Sequence, residues 1–329
     1  MTPPTSPRAN EAHSSKKIPI LWNPNAGPQE RNAASLEQIQ SELGDRLAVH
    51  VTRSEDHSAQ LTRELIESGA TMIAAAGGDG VINVVADAIL QTGQANVALA
   101  VLPSGTGNDY ARSLGLPLSA VESAPLLLQQ PPKPLDVFHL AGTGPQGKID
   151  RYGVNMLAGG NTGQYTQQLT DEMKQQWGAF CFLRGAIEVL QNLEVYNVEV
   201  QFDDESPIAM NVLNLFVANG RCAGAGLPVA AGALLDDGWL DAVIVLDGTG
   251  VQLAQLALTY VVGNPREHEL ILARRVRKIA IRSQTPFAWA VDGQEFTASD
   301  LEVTIQPARL PVVVGELTPA IQAGSEPAR

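Results

Sequence analysis

Between residues 18 and 134, apolar residues fall into short continuous runs separated by stretches with helical spacing. Ile18 to Trp22, Ala48 to Thr52, Thr71 to Ala76 and Val97 to Leu102 are four such runs, each suited to a strand covered on both faces. Leu36 to Leu43 and His57 to Ser68 read as helices between them. After the third run, Ile82, Val85, Ala86 and Ile89 recur at helical spacing, with Asn83 and Asp87 on the opposite side. A short helix from Tyr110 to Leu114 follows the fourth run and is ended by Gly115 and Pro117. This alternation predicts a doubly wound, mostly parallel α/β sheet over residues 18–134.

The pattern changes after Gln129-Gln130-Pro131-Pro132-Lys133-Pro134, which reads as a linker. Strands are predicted at Val137 to Leu140, Tyr152 to Met156, Glu194 to Phe202, Asn211 to Ala218, Leu240 to Leu246, Lys278 to Ser283, Phe287 to Val291 and Leu301 to Gln306. Strict alternation in Val198-Glu199-Val200-Gln201-Phe202 marks a half-exposed sheet. The expectation is an antiparallel β-sandwich domain over 135–310, with helices at Gln164 to Gln176, Ala179 to Leu193 and Val251 to Val262. A C-terminal segment, 311–329, follows. There is no internal repeat.

Two glycine turns carry the chemistry. Ala76-Gly77-Gly78-Asp79-Gly80 and Pro103-Ser104-Gly105-Thr106-Gly107-Asn108-Asp109 each sit where an apolar run passes into a helix. Such a junction presents backbone N–H groups to an anion, and its aspartates recruit a cation or a proton. In an open α/β sheet both turns reach the crevice beyond the carboxyl ends of the strands. Either turn alone equally suits an ordinary α/β domain, and Asn108 and Asp109 equally suit helix caps. Neither the G-x-x-x-x-G-K-[ST] loop nor G-x-G-x-x-G is present.

Composition narrows the class. The 329 residues suffice for two substantial cores. A net charge of −13 argues against nucleic acid as partner and against standing adhesion to anionic lipid. Arg274, Arg275, Arg277 and Lys278 form the one dense basic cluster, read first as a solvated strand edge. Residues 1–17 read as a disordered tail, not a signal peptide, and no apolar stretch reaches the ~20 residues of a transmembrane segment. Cys181 and Cys222 alone suggest a reducing, cytoplasmic setting. The histidines at 13, 50, 57, 139 and 268 lack metal-ligand spacing.

Gly77-Gly78-Asp79-Gly80-Val81-Ile82-Asn83 resembles the G-G-D-G-T-x-N signature of the diacylglycerol kinase catalytic-domain superfamily, and Pro103 to Arg112 resembles its P-x-G-T-x-N-D-F-A-R. Asn23-Pro24-Asn25-Ala26-Gly27, Pro134-Leu135-Asp136-Val137, Asp237-Gly238-Trp239-Leu240-Asp241 and Val291-Asp292-Gly293 are similar to further family motifs, in the family's order, from about Ile18 to about Val314. The resemblance implies an ATP- and Mg²⁺-dependent lipid kinase acting on a diacylglycerol-like substrate at the membrane surface. It implies a cytoplasmic enzyme in transient contact with the inner membrane face, and leaves a homodimer open. It places Thr52, Gly77 to Asn83, Gly105, Thr106, Asn108 and Asp109 at the nucleotide. Asp237 becomes a Mg²⁺ ligand with the carbonyls of Leu234 and Trp239, and Asp79, Asp109 and Asp136 are candidates for the same network. Out of context, Asp236-Asp237-Gly238 reads as a hairpin turn and Thr52 as a strand end. The stretch from Val154 to Gly160, with the helices after it, would border the lipid cleft. Pro311 to Val314 would return to the first domain.

The chain departs from the family twice. Val81 replaces a threonine. Gln294 stands in Asp292-Gly293-Gln294 where the bacterial branch has the glutamate proposed as proton acceptor, and an amide cannot accept that proton. Three readings stay open: Glu295 reaches in, Asp79 takes the proton, or the protein is a degenerate kinase that binds nucleotide or lipid. An NAD kinase, which shares the glycine-aspartate turn, is a further alternative opposed by Asn108 to Arg112.

Overall fold

A computed structural model describes residues 17–161, 193–262 and 265–315. The predicted helices Gln164 to Gln176 and Ala179 to Leu193, like Cys181, His13 and most of the two terminal segments, lie outside the described residues, save for Leu193.

Strands β1 (Ile18–Trp22), β2 (Leu47–Val51), β3 (Met72–Gly77) and β4 (Ala98–Pro103) form a parallel sheet in the order β4-β3-β1-β2. Their alternate residues enter two different cores. Leu21, Ile73 and Ala75 pack with Ile66, Ile82, Val85 and Ile89 from α2 (Glu55–Glu67) and α3 (Asp79–Gln91). Ile20, Trp22, Ala74 and Ala76 pack with Ile39 of α1 (Gln29–Leu43) and Ala120 of α5 (Ala120–Ser123). Covering both faces is what the continuous apolar runs require. The chain leaves β1 for β2 on one side and returns to β3 on the other, so the crevice where such sheets bind ligands opens between β1 and β3. Helix α4 (Asp109–Ser113) follows β4, and α6 (Leu126–Gln129) precedes the second half.

The second half contributes β5 (Lys133–Gly144), β6 (Gly147–Gly153), β7 (Met156–Gly160), β8 (Tyr196–Phe202), β9 (Ile208–Ala218), the two-residue β10 (Cys222–Ala223) and β11 (Leu227–Pro228), and β12 (Leu240–Leu246). Helix α7 (Gly250–Val262) precedes β13 (Ile271–Val276), β14 (Lys278–Val291) and β15 (Gln294–Val312). All of their ladders within this half are antiparallel. Phe138, Val200, Phe202, Leu215, Trp289 and Leu301 lie in their shared core. The strands expected at Lys278 to Ser283 and Phe287 to Val291 are one strand with a register shift between Arg282 and Phe287. Strand β15 then leaves this half, and its last residue, Val312, pairs in parallel with Leu99 of β4.

The expected strand Tyr152 to Met156 is instead broken. The N–H groups of Val154, Asn155 and Met156 all donate to the Asp292 carboxylate, so β6 ends at Gly153 and β7 starts at Met156. Asn83 also departs from the expected polar face of its helix: it is 1% exposed, with its side-chain amide bonded to the Tyr152 carbonyl near the end of β6 and to Asp292. Among the described residues no helix is long and apolar enough to cross a membrane.

Candidate active site

The two glycine turns touch. A Cβ built on Gly105 would lie 2.5 Å from the Gly78 Cα, a backbone clash that no side chain can relieve. The loop after β1 closes on them from the other side: Gly27, at φ +65°, would place a Cβ 2.6 Å from the Ser104 carbonyl oxygen. Asn108 zips the second turn, accepting from the Gly105 N–H at 3.0 Å and donating to the Gly105 carbonyl at 3.0 Å. Its left-handed backbone, φ 54°, is one that asparagine tolerates better than most residues. Asn108 stands at the N-cap position of α4 yet makes no side-chain cap bond.

Gly80 is less constrained than its place in the motif suggests. It lies within α3, and the nearest atoms to a Cβ there are the Asp292 carbonyl oxygen at 3.9 Å and Glu55 Oε1 at 4.0 Å. The close approach belongs to Gly78 and Gly105. Gly77 is occupied from inside: its Cβ would collide with Val81 at 2.7 Å, so the valine that departs from the family motif packs on the turn. Thr52 is buried, with its hydroxyl donating to the Trp22 carbonyl at 3.3 Å, as a strand-end residue does. Thr106 is exposed at the tip of the second turn.

Asp79 Oδ1 accepts the Tyr110 N–H at 3.0 Å, tying the first turn of α3 to α4. Its Oδ2 lies 3.0 Å, and Asp109 Oδ2 3.3 Å, from a Cβ built on Gly107, so both carboxylates flank that glycine. Asp109 accepts the N–H groups of Ala225 at 3.1 Å and Gly226 at 2.6 Å, bringing the second half of the chain against the second turn. Burial, and then the Asp79 charge, raise the Asp109 carboxyl above its ordinary value.

Asp292 fastens the two halves beneath the first turn. It is 6% exposed and accepts the N–H groups of Met156 at 2.6 Å, Val154 at 2.7 Å and Asn155 at 3.1 Å, together with Asn83 Nδ2 at 2.9 Å. Burial raises its carboxyl to about 6 against the pull of these backbone donors. Asn83, which the resemblance assigned to the nucleotide, is thereby committed to this junction. The β14–β15 hairpin that follows places Gly293 over the start of α3, its Cβ position 3.5 Å from the Gly80 nitrogen. Gln294 Nε2 donates to Glu55 Oε2 at 3.0 Å. Glu295, the next residue of β15, is exposed, and successive residues of a strand alternate between its two faces.

Residues 17–140 match the diacylglycerol kinase catalytic domain, and residues 158–314 match the YegS C-terminal NAD kinase beta sandwich-like domain. A Pseudomonas putida protein named "Probable lipid kinase YegS-like" is 31% identical over 284 residues, covering 83% of this chain and 89% of that protein. The chain belongs to the YegS-like lipid kinase family. Its Pseudomonas aeruginosa relative of the same name is 28% identical over 90% of this chain and 93% of its own length. A diacylglycerol kinase of Bacillus anthracis superposes with a TM-score of 0.68 at 20% identity, over 92% of this chain and 97% of that one. Yeast NADH kinase superposes at 0.52 with 11% identity, over 94% and 86% of the two chains, a likeness of fold alone.

At the metal position that the resemblance implies, the carboxylate is engaged by the chain's own groups. Asp237 Oδ1 accepts the Trp239 N–H at 3.1 Å, and Oδ2 is held by the Arg275 guanidinium, which also lies over the Trp239 ring at 5.5 Å. A fixed cation thus already neutralises the carboxylate. Burial nevertheless keeps the Asp237 carboxyl above its ordinary value, with Arg275 opposing it. Asp136 is likewise engaged, accepting the N–H groups of Gly238 and Ala308, both at 2.7 Å. Among the described residues no three His, Cys, Asp or Glu side chains gather as a metal cage.

Spacing along the chain could not reveal several residues that shape this site. Ser113 Oγ donates to Asn155 Oδ1 at 3.0 Å and accepts the Arg221 N–H at 3.1 Å. Asn219 Nδ2 bridges the carbonyls of Val154 and Asp136 at 2.7 and 2.9 Å. Glu55 carries only the ordinary signature of an acidic residue in a helix's first turn, behind the Ser54 cap.

Proposed function

We propose that this protein transfers the γ-phosphoryl group of ATP to a hydroxyl of a diacylglycerol-like lipid. The observation that carries the reading is the contact of the Gly78 and Gly105 turns at the carboxyl ends of β3 and β4, with the second half of the chain clamped against them by the Asp109 bond to Gly226 and the Asp292 bond to Asn83. Glycine at both turns keeps the backbone open to a phosphate chain, and the start of α3 directs N–H groups and the positive end of its dipole towards it. Phosphoryl transfer asks chiefly for such positioning and charge stabilisation.

Mg²⁺ would arrive on the nucleotide and neutralise charge on the transferring group, with Asp79 Oδ2 as the nearest candidate carboxylate. Asp79 keeps that oxygen beside Gly107 because its other oxygen is fixed on Tyr110. The lipid would enter from the second half, along the stretch that includes β7, meeting the protein at the inner face of the membrane. Its acyl chains would stay in the bilayer, which agrees with the acidic, transiently bound enzyme that a net charge of −13 favours.

The test is transfer of radiolabel from ATP to a panel of diacylglycerol, monoacylglycerol, sphingosine, ceramide, phosphatidylglycerol and undecaprenol in mixed micelles. Labelled diacylglycerol or a close relative is expected. Tight ATP binding with no labelled lipid would instead support a nucleotide-binding protein with little turnover, the reading motivated by Gln294. Labelled NADP, when NAD is offered in place of the lipid, would support an NAD kinase.

A further inference from the structure

Four carboxylates surround the glycine turns, and their hydrogen bonds differ in a way that assigns roles. Asp292 is buried, and both of its oxygens are taken by N–H donors. Asp109 has one oxygen on Gly226 and the other on Ala225. Asp79 has one oxygen on Tyr110 and the other against Gly107, on the inner side where the two turns meet. Glu55 differs from all three. It is exposed at the first turn of α2, its Oε2 is pinned by the Gln294 amide, and its Oε1 lies 4.0 Å from the Cβ position of Gly80.

We propose that Glu55 is the proton acceptor for the lipid hydroxyl, held in place by Gln294. The inference rests on the lipid kinase reading above. Gln294 lacks a basic oxygen of suitable strength, but its amide is a good clamp: it occupies one carboxylate oxygen and leaves the other facing the start of α3, where the phosphate chain would lie. The Glu55 side chain is thus oriented from across the domain junction, by a residue 239 positions away. In the reaction the hydroxyl oxygen bonds to the γ-phosphorus as the bond from phosphorus to the bridging oxygen breaks and ADP departs. The hydroxyl proton passes to Glu55 Oε1, and from there to solvent, to which Glu55 is open. The carboxylate is regenerated without another reactant.

Relocating the carboxylate provides the test. Wild-type transfer to the lipid panel is measured first; if no lipid is labelled, the kinase reading falls and this inference falls with it. If wild type is active, Glu55→Gln should lower kcat by about a hundredfold or more, the scale of losing a general base. The KM for ATP and the melting temperature should stay unchanged. The exchange Glu55→Gln with Gln294→Glu returns a carboxylate to the same pair from the opposite side, and should recover kcat to within about tenfold of wild type if the two residues act as one unit. Near wild-type kcat in Glu55→Gln would overturn the proposal. So would a loss confined to the KM for ATP, which would make Glu55 a nucleotide contact, or a folded exchange variant as slow as the single one.

Discussion

Asp292 determines more of this site than any residue that would touch substrate. Removing its side chain leaves the N–H groups of Val154, Asn155 and Met156 buried without acceptors, each costing on the order of 1–3 kcal/mol. Its titration gives a signed expectation. Because burial raises the folded-state carboxyl to about 6 from 3.8, the folded protein binds the proton more readily than the unfolded chain. The resulting stability is full below pH 3.8 and is lost as pH rises through about 6. Asp292→Asn does not titrate, so the stability advantage of wild type over this variant should widen by up to about 3 kcal/mol between pH 7 and pH 4. Urea melts of both proteins at several pH values would show it, and a constant gap would refute it. Asp79→Asn should keep the oxygen that accepts from Tyr110, and hence the fold. It should slow turnover by about a hundredfold or more through loss of the charge facing Gly107, and a variant as fast as wild type would remove Asp79 from the chemistry.

Among elements, the turns separate positions that the sequence motif treats alike. Gly105→Ala puts a methyl group into the Gly78 backbone and should abolish ATP binding or folding, whereas Gly80→Ala meets nothing closer than 3.9 Å and should be folded and able to bind. Titration of both with a non-hydrolysable ATP analogue distinguishes this from a cradle in which the two glycines are equivalent. The Asp236–Trp239 turn has the opposite lesson. Its motif reads as a metal ligand by resemblance, yet the cross-strand register that sets Arg275 opposite Asp241 delivers a guanidinium to Asp237. Mg²⁺ should therefore leave the melting temperature of the apoprotein unchanged, while Arg275→Met should make it rise with Mg²⁺. The hydrophobic pattern made β1, β3, β4 and β12 legible to within a residue at each end, because each is a buried run bounded by turn residues. It missed the break at Val154 because the acceptor that replaces a strand partner there lies 138 residues away.

For the whole molecule, β15 joins the two halves: it begins beside Val291 in the second half and ends beside Leu99 in the first. With Asp109 and Asp292 also bonded across the junction, the halves should unfold together. Trp22 and Trp289 are both buried, one in each half, at 2% and 1% exposure. Variants keeping only one of them should show coincident urea midpoints by fluorescence, and two separated midpoints would mean that the halves unfold independently. The basic cluster also looks different at this scale. It lies on and beside the edge strand β13, where Arg274 pairs with Glu205, Arg275 with Asp237 and Lys278 with Glu302, so most of its charge is neutralised within the chain.

Local pattern by itself determined the strand–turn–helix units, the two glycine turns at strand ends and the change from parallel to antiparallel architecture, because each depends on residues a few positions apart. Tertiary structure alone decided which carboxylates are free. Asp109, Asp136, Asp237 and Asp292 are chemically alike, and the fold brings N–H donors to three of them and an arginine to the fourth, from 38 to 172 residues away. The reactivity of a carboxylate depends on its burial and partners, and those are properties of the folded neighbourhood.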